Sequence, residues 1–127
     1  MQFEVMKKPE EEKSDMLTSK LRMYDKDGFS LRGCCVVWDS DKKINILLIK
    51  NKKGNWCLPG GGIENFDISF LDGALRELKE EAGILGKVIN YVGNFKDEIG
   101  KNKHSTFVWS VKPLKVFEDY KENYRER

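Results

Sequence analysis

The stretch RELKEEAGI, residues 76–84, concentrates three carboxylates: Glu77, Glu80 and Glu81. Read as a helix, it places them at i, i+3 and i+4, on one side and within about one turn. Like charges at that spacing cost an isolated helix roughly 0.2–0.5 kcal/mol per pair, so the pattern calls for a positive partner. On a wheel advancing about 100° per residue, with Glu77 at zero, Glu80 falls near 300° and Glu81 near 40°. Leu71, Ala74, Leu75, Leu78 and Ala82 form an apolar stripe at roughly 60–160°. The acids therefore border the buried face, whereas a plain solvated face would lie opposite it. Gly73, near 320°, leaves the turn below them without a side chain and so with room for a cation and a phosphate. Hard oxygen ligands of this kind suit Mg²⁺ or Mn²⁺, which complete their shells with water and phosphate oxygens.

The elements around this helix follow from pattern. The stripe predicts a helix from about Ile68 to Ala82, with Gly83 as its stop. PGGG, ending at Gly60, Gly61 and Gly62, reads as backbone that approaches a ligand closely and presents amides near a helix N-terminus. It lies within a long structured loop, NKKGNWCLPGGGIENFD. CCVVW and INILLIK are β-rich runs joined by the polar DSDKK, and KVINYVGNF and HSTFVWSV are strand-like runs separated by the charged turn KDEIGKNK. YDKDGF is turn chemistry. No GxxxxGK[ST] loop occurs, and no Ser/His/Asp or Cys/His signature accompanies the one histidine, His104, which reads as structural or superficial. Metal-assisted chemistry is the surviving option.

The chain of 127 residues has room for one core, and its net charge of +2 gives no reason to expect a duplex-binding stripe. Cys34, Cys35 and Cys57 follow no metal spacing and read as reduced thiols. The charged N-terminus lacks an apolar run, so neither a signal peptide nor a membrane span is expected, and the location expected is cytoplasmic or nuclear.

The run from GGG to RELKEEAGI resembles the Nudix box, G-x5-E-x7-R-E-U-x-E-E-x-G-U with U aliphatic, and Arg76 to Ile84 match it at every fixed position. The resemblance implies an α/β fold, an α/β/α sandwich around a mixed β-sheet, that cleaves a nucleoside or other organic diphosphate with a divalent metal, Mg²⁺ or Mn²⁺. It makes Glu77, Glu80 and Glu81 metal ligands, with Glu80 or Glu81 also catalytic towards water. It makes Arg76 a contact to a carboxylate that holds the box together.

Beyond the box, RMYDKDGFSLRGCCVVW, WCLPGGGIE, EEAGILGKV, YVGNFKDE and HSTFVWSV followed by VFEDYKENYRER resemble the diphosphoinositol polyphosphate phosphohydrolases in order and spacing. That likeness runs from about Leu21 to Arg127, after a tail or short helix over residues 1–20, so residues 21–127 are expected to form the Nudix domain. Members of the subfamily also accept diadenosine polyphosphates. The substrate-binding residues it implies are Arg22 and Arg32, then Lys50, Lys52 and Lys53 after the second strand, and Arg125 or Arg127, beside the glycines Gly60, Gly61 and Gly62.

Two departures stand out. The position of the first box glutamate is Ile68, because the loop from Gly62 is one residue longer than in the subfamily, and Asp67 or Glu64 is available to replace it. The sequence stops at RER, where relatives continue into a C-terminal helix packed on the sheet. An N-terminal helix over about Glu12 to Leu21, a partner chain or a truncated sequence would account for this. A homodimer through VFEDYKENY or TFVWSV, with Phe107 and Trp109 on one side of the pleat, is one such expectation. The expected function is Mg²⁺-dependent hydrolysis of phosphoanhydrides in diphosphoinositol polyphosphates or diadenosine polyphosphates. The alternatives are an mRNA-cap or nucleoside diphosphate-linked hydrolase, with Trp56 or Phe66 stacking on the base, and a catalytically impaired phosphate-binding module.

Overall fold

The alternation in SLRGCCVV sends Leu31, Gly33, Cys35 and Val37 to one face of a strand and Arg32, Cys34 and Val36 to the other, and burial follows that period. This strand organises the fold seen in a computed structural model, which describes residues 22–39, 43, 45–123 and 125–127. The tail or helix expected over residues 1–20, and the covering segment expected from Glu12 to Leu21, lie outside the described residues. In chain order the elements are β1 (Ser30–Val37), β2 (Ile49–Lys50), β3 (Trp56–Cys57), β4 (Gly60–Gly62), α1 (Phe70–Ala82), β5 (Ile84–Ile99) and β6 (Asn102–Val116).

The main sheet is mixed, as expected, with strand order β4-β1-β6-β5. β1 runs parallel to β6 and antiparallel to β4, and β5 pairs antiparallel with β6. Helix α1 packs on the face that carries Cys35 and Val37, where Ala74, Leu78 and Ala82 join them with Ile49, Ile84 and Val111 in the core. Leu31, Ile63 and Phe107 form a neighbouring cluster, against which Phe70 packs with its ring 4.8 Å from that of Phe107. Ser69 caps α1 through a hydroxyl that accepts from the Asp72 amide at 3.0 Å, and Gly83 ends it in the left-handed conformation at φ 66°. The Asp25 carboxylate likewise organises the YDKDGF turn, accepting from the Asp27 and Phe29 amides at 2.9 Å.

Several expectations change on folding. The glycines of PGGG belong to a strand, β4, rather than to a loop, because their missing side chains let it lie against β1: a Cβ at Gly60 would meet Cys34 Sγ at 2.2 Å. Gly73 makes room for Ile63 and Asp67, which a Cβ would meet at 2.7 and 2.8 Å, and not for a cation. The charged segment KDEIGKNK is mostly strand, since β5 and β6 pair as far as Ile99 and Asn102 and leave a two-residue turn with Gly100 at φ 61°. Within the chain, TFVWSV lies inside the sheet as part of β6, with Phe107 and Val108 buried and Phe107 stacked towards Trp109 on the core face. The segment after β6 passes the end of α1, with the Phe117 amide donating to the Gly83 carbonyl at 2.7 Å and the Glu122 amide to the Glu80 carbonyl at 2.8 Å. Among the described residues there is one helix, and it is neither long nor apolar enough to cross a membrane.

The closest approach of helix and sheet is at Gly33, where an added Cβ would lie 2.8 Å from Ala74 Cβ and 3.0 Å from its Cα. Gly33→Ala should therefore lower stability by about 1–3 kcal/mol. Urea unfolding measures this, and an unchanged midpoint would show that α1 does not seat on β1 so closely.

Candidate active site

The charge that the acidic helix calls for is supplied from within it. Arg76 NH1 donates to Glu77 Oε1 at 3.0 Å and to Glu80 Oε2 at 3.1 Å. Its Nε and NH2 grip both oxygens of Asp67 at 2.8 and 3.0 Å, and NH2 also reaches the Gly62 carbonyl at 3.1 Å. Asp67 is thus the loop carboxylate paired with Arg76, while Ile68, at the position of the first box glutamate, is 94% exposed. Glu64 contributes its amide instead, donating to Asp67 Oδ2 at 2.9 Å.

Glu77 and Glu81 are buried, at 9% and 7% exposure, so the carboxylates border the core as the wheel implies. Burial pushes both carboxyls up, Glu81 to about 7, although the Gly60 amide donating to Glu81 at 2.9 Å works the other way. Gly61 forms the seat for Glu77, since a Cβ there would meet the Glu77 carboxyl carbon at 2.5 Å. One carboxylate oxygen from each of Glu77, Glu80 and Glu122 lies within 4.8 Å of the others. Glu81 is outside this triple, facing Arg125 NH2 at 3.8 Å. All-carboxylate donors beside a glycine cradle fit a hard divalent cation of the Mg²⁺ or Mn²⁺ kind.

The basic residues divide. Arg32 pairs in register with Gly62, and a Cβ at Gly62 would meet Arg22 Nε at 3.2 Å, so both arginines flank the strand whose other two glycines contact the acids. Arg22 also lines a polar cavity of about 80 Å³ with Ser30, Lys101, Lys103 and His104. The sequence pattern gave no sign of this grouping, because Lys101 and Lys103 read as part of a charged turn and His104 as the start of a strand until β6 pairs with β1. Lys50 is held by Glu126 at 3.4 Å and lies 5.3 Å from the Trp56 ring, while Lys52 and Lys53 stand on an exposed turn. Arg125 reaches the acids, but Arg127 donates to the Ala82 and Phe117 carbonyls at 2.8 Å and so caps the helix end. Glu122 was also missed, since nothing in ENYRER marks it apart from its neighbours. Cys34 and Cys35 are free thiols on opposite faces of β1, with burial pushing them up to about 11 and 12.

Two tests follow from these contacts. Asp67→Asn removes the charge opposite a largely buried guanidinium and should cost about 2–4 kcal/mol, whereas Ile68→Ala should cost less than about 0.5. Equal losses in urea unfolding would refute Asp67 as the loop carboxylate on which Arg76 depends. For Glu81, the proton is held in the folded, metal-free chain up to about pH 7 against an ordinary value of 4.5. The folded state thus binds more protons between those values, and stability falls as pH rises through that window. Glu81→Gln should be more stable than the parent by about 2 kcal/mol at pH 8, with the gap closing towards pH 5. Thermal melts in chelator check this, and a gap independent of pH would contradict it.

Comparison with known proteins agrees with this geometry. A family model described as NUDIX domain matches residues 30–123. Diphosphoinositol polyphosphate phosphohydrolase 3-beta of Bos taurus is 32% identical over 83% of this chain and 64% of its own length. Diphosphoinositol polyphosphate phosphohydrolase 2 of Homo sapiens is 31% identical over 83% of this chain and 58% of its own. The chain thus spans about six tenths of the length of these relatives. Among solved structures, an ADP-ribose pyrophosphatase of Streptococcus suis is similar with a TM-score of 0.57 and 27% identity, covering 71% of this chain and 65% of that one. A NUDIX hydrolase of Nitrosomonas europaea shares the fold, with a TM-score of 0.60 at 18% identity over 72% of this chain and 63% of that one. The box helix with its seated carboxylates, the mixed sheet and the family match agree, and the chain belongs to the NUDIX domain family.

Proposed function

We propose that this chain, in the protein it belongs to, hydrolyses phosphoanhydride bonds with Mg²⁺ or Mn²⁺, acting on diphosphoinositol polyphosphates or diadenosine polyphosphates. The observation that carries the reading is the meeting of opposite charges on one three-residue strand. Gly60 and Gly61 contact Glu81 and Glu77, while Arg22 and Arg32 flank Gly62. A substrate that is both metal-bound and crowded with phosphates uses both halves.

Glu77 and Glu80 hold the cation, which when bound supplies charge neutralisation at the scissile phosphoryl group and a template for in-line attack. Glu81, buried and tethered by the Gly60 amide, is suited to accept a proton from water near neutral pH. Arg22, Arg32 and the cavity side chains Lys101, Lys103 and His104 bind the remaining phosphates. Arg125, 3.8 Å from Glu81, is a further basic group beside the acids.

One observation favours a base-containing substrate: Trp56 is 51% exposed beside Lys50 and offers a ring face for stacking. Turnover of a diphosphoinositol polyphosphate, a diadenosine polyphosphate and capped RNA, with and without Mg²⁺, decides between them. Glu80→Gln should lower metal-dependent turnover roughly a hundredfold or more with the fold retained. Arg22→Ala and Arg32→Ala should weaken the inositol substrate more than the dinucleotide. Near-parental turnover in Glu80→Gln at saturating Mg²⁺ would sink the metal-dependent reading, and equal arginine losses on all substrates would sink the assigned phosphate grip.

A further inference from the structure

The two edges of the main sheet differ. β4, three residues long, forms one edge and carries the contacts to the acids and arginines of the site. β5, 16 residues long, forms the other. An edge strand turns alternate amides and carbonyls outward, where they can pair with another chain. Leu85, Ile89, Tyr91, Val92, Phe95 and Ile99 all lie on this edge strand and are 42–74% exposed. Ile89 and Val92 are the extra residues where β5 bulges from its ladder with β6, and both side chains stay in the open. Single exposed hydrophobics are ordinary, but six on one open strand mark an association surface.

The charges on the same strand say what fits there. Lys87 stands opposite Lys112 and Asp97 opposite His104 in the ladder with β6. Both pairs lie on the sheet face away from α1, because Phe107 and Val111, which alternate with them along β6, belong to the core. Two lysines directly opposite one another are unfavourable. Among the described residues Lys87 makes no ion pair, and Asp97 is met by the His104 ring at 3.4 Å. A two-fold axis through Val92 sets Lys87 of one copy opposite Asp97 of the other, Ile89 opposite Phe95 and Leu85 opposite Ile99. The axis generates each of these pairs twice. Moving it to Tyr91 or Gly93 would set Lys87 against Phe95 or Ile99 instead, a charge against an apolar side chain. The strand is thus complementary to itself in one register.

We propose that two copies of this chain associate through β5, antiparallel about a two-fold axis at Val92, so that their sheets join edge to edge. Main-chain bonds and the apolar pairs hold the copies together, and the lysine–aspartate pairs select the register. The β4 edges then lie at the two outer ends of the joined sheet, so association leaves the acids and arginines of each copy accessible.

Sedimentation equilibrium of the full chain at micromolar concentration should give twice the monomer mass. Lys87→Glu and Asp97→Lys each place two like-charged pairs across the axis, and each should weaken the dimer by roughly tenfold or more. Mixed in equal amounts, the two variants regain opposite charges at both pairs and should associate about as tightly as the parent. Val92→Lys and Val92→Glu, at the axis itself, form a second such set: each dissociates alone and the two associate on mixing. Circular dichroism of dilute samples verifies the fold of every variant, and the second set decides the matter if a member of the first does not fold. A parent that sediments as a monomer throughout overturns the proposal, since the edge is then covered from within the chain or left bare. A dimer that neither set weakens rests on another surface and overturns it as well. Weakened variants that fail to associate on mixing overturn the two-fold antiparallel register.

Discussion

The guanidinium of Arg76 uses all five of its N–H donors: two to Asp67, one each to Glu77 and Glu80, and one to the Gly62 carbonyl. Those bonds tie together the loop before α1, the edge strand β4 and the helix itself. They also solve the electrostatic problem that the helix poses, since Glu77 is buried and could not stay ionised there unpaired. A lysine would supply the charge but not the fork, and the loop, strand and helix would lose their common anchor.

Around this hub the charges do not cancel. Asp67, Glu77, Glu80, Glu81 and Glu122 face Arg76, Arg125 and Lys121, an excess of two negative charges if all are ionised. The raised protonation range of Glu77 and Glu81 is the response of the isolated chain to that imbalance and to burial. A divalent cation at these carboxylates would offset that excess of negative charge.

Glycine has two distinct uses here. At Gly83 it supplies the left-handed backbone that stops α1. At Gly33, Gly60 and Gly61 it removes a side chain so that a helix, a neighbouring strand or a carboxylate can come closer than a Cβ allows. The two look the same in a sequence: the first follows from the position at a helix end, whereas the second depends on which surface lies opposite.

By itself the sequence determined an acidic helix bordering its buried face, the stop of that helix at Gly83, and the strand-like runs around it. These are local, because the positions of side chains on one helix or strand follow from its period alone. The tertiary structure decided what depends on distance across the chain. It chose Asp67 over Glu64 as partner to Arg76, since only the folded loop sets that carboxylate against the guanidinium. It turned PGGG into an edge strand, filled the gap beside Gly73, and buried the strand expected at an interface. It also brought Lys101, Lys103 and His104 to Arg22, and Glu122 to Glu77 and Glu80. These contacts join different elements, some of them far apart in sequence, where no spacing rule operates and only packing and hydrogen bonding between elements fix the neighbour.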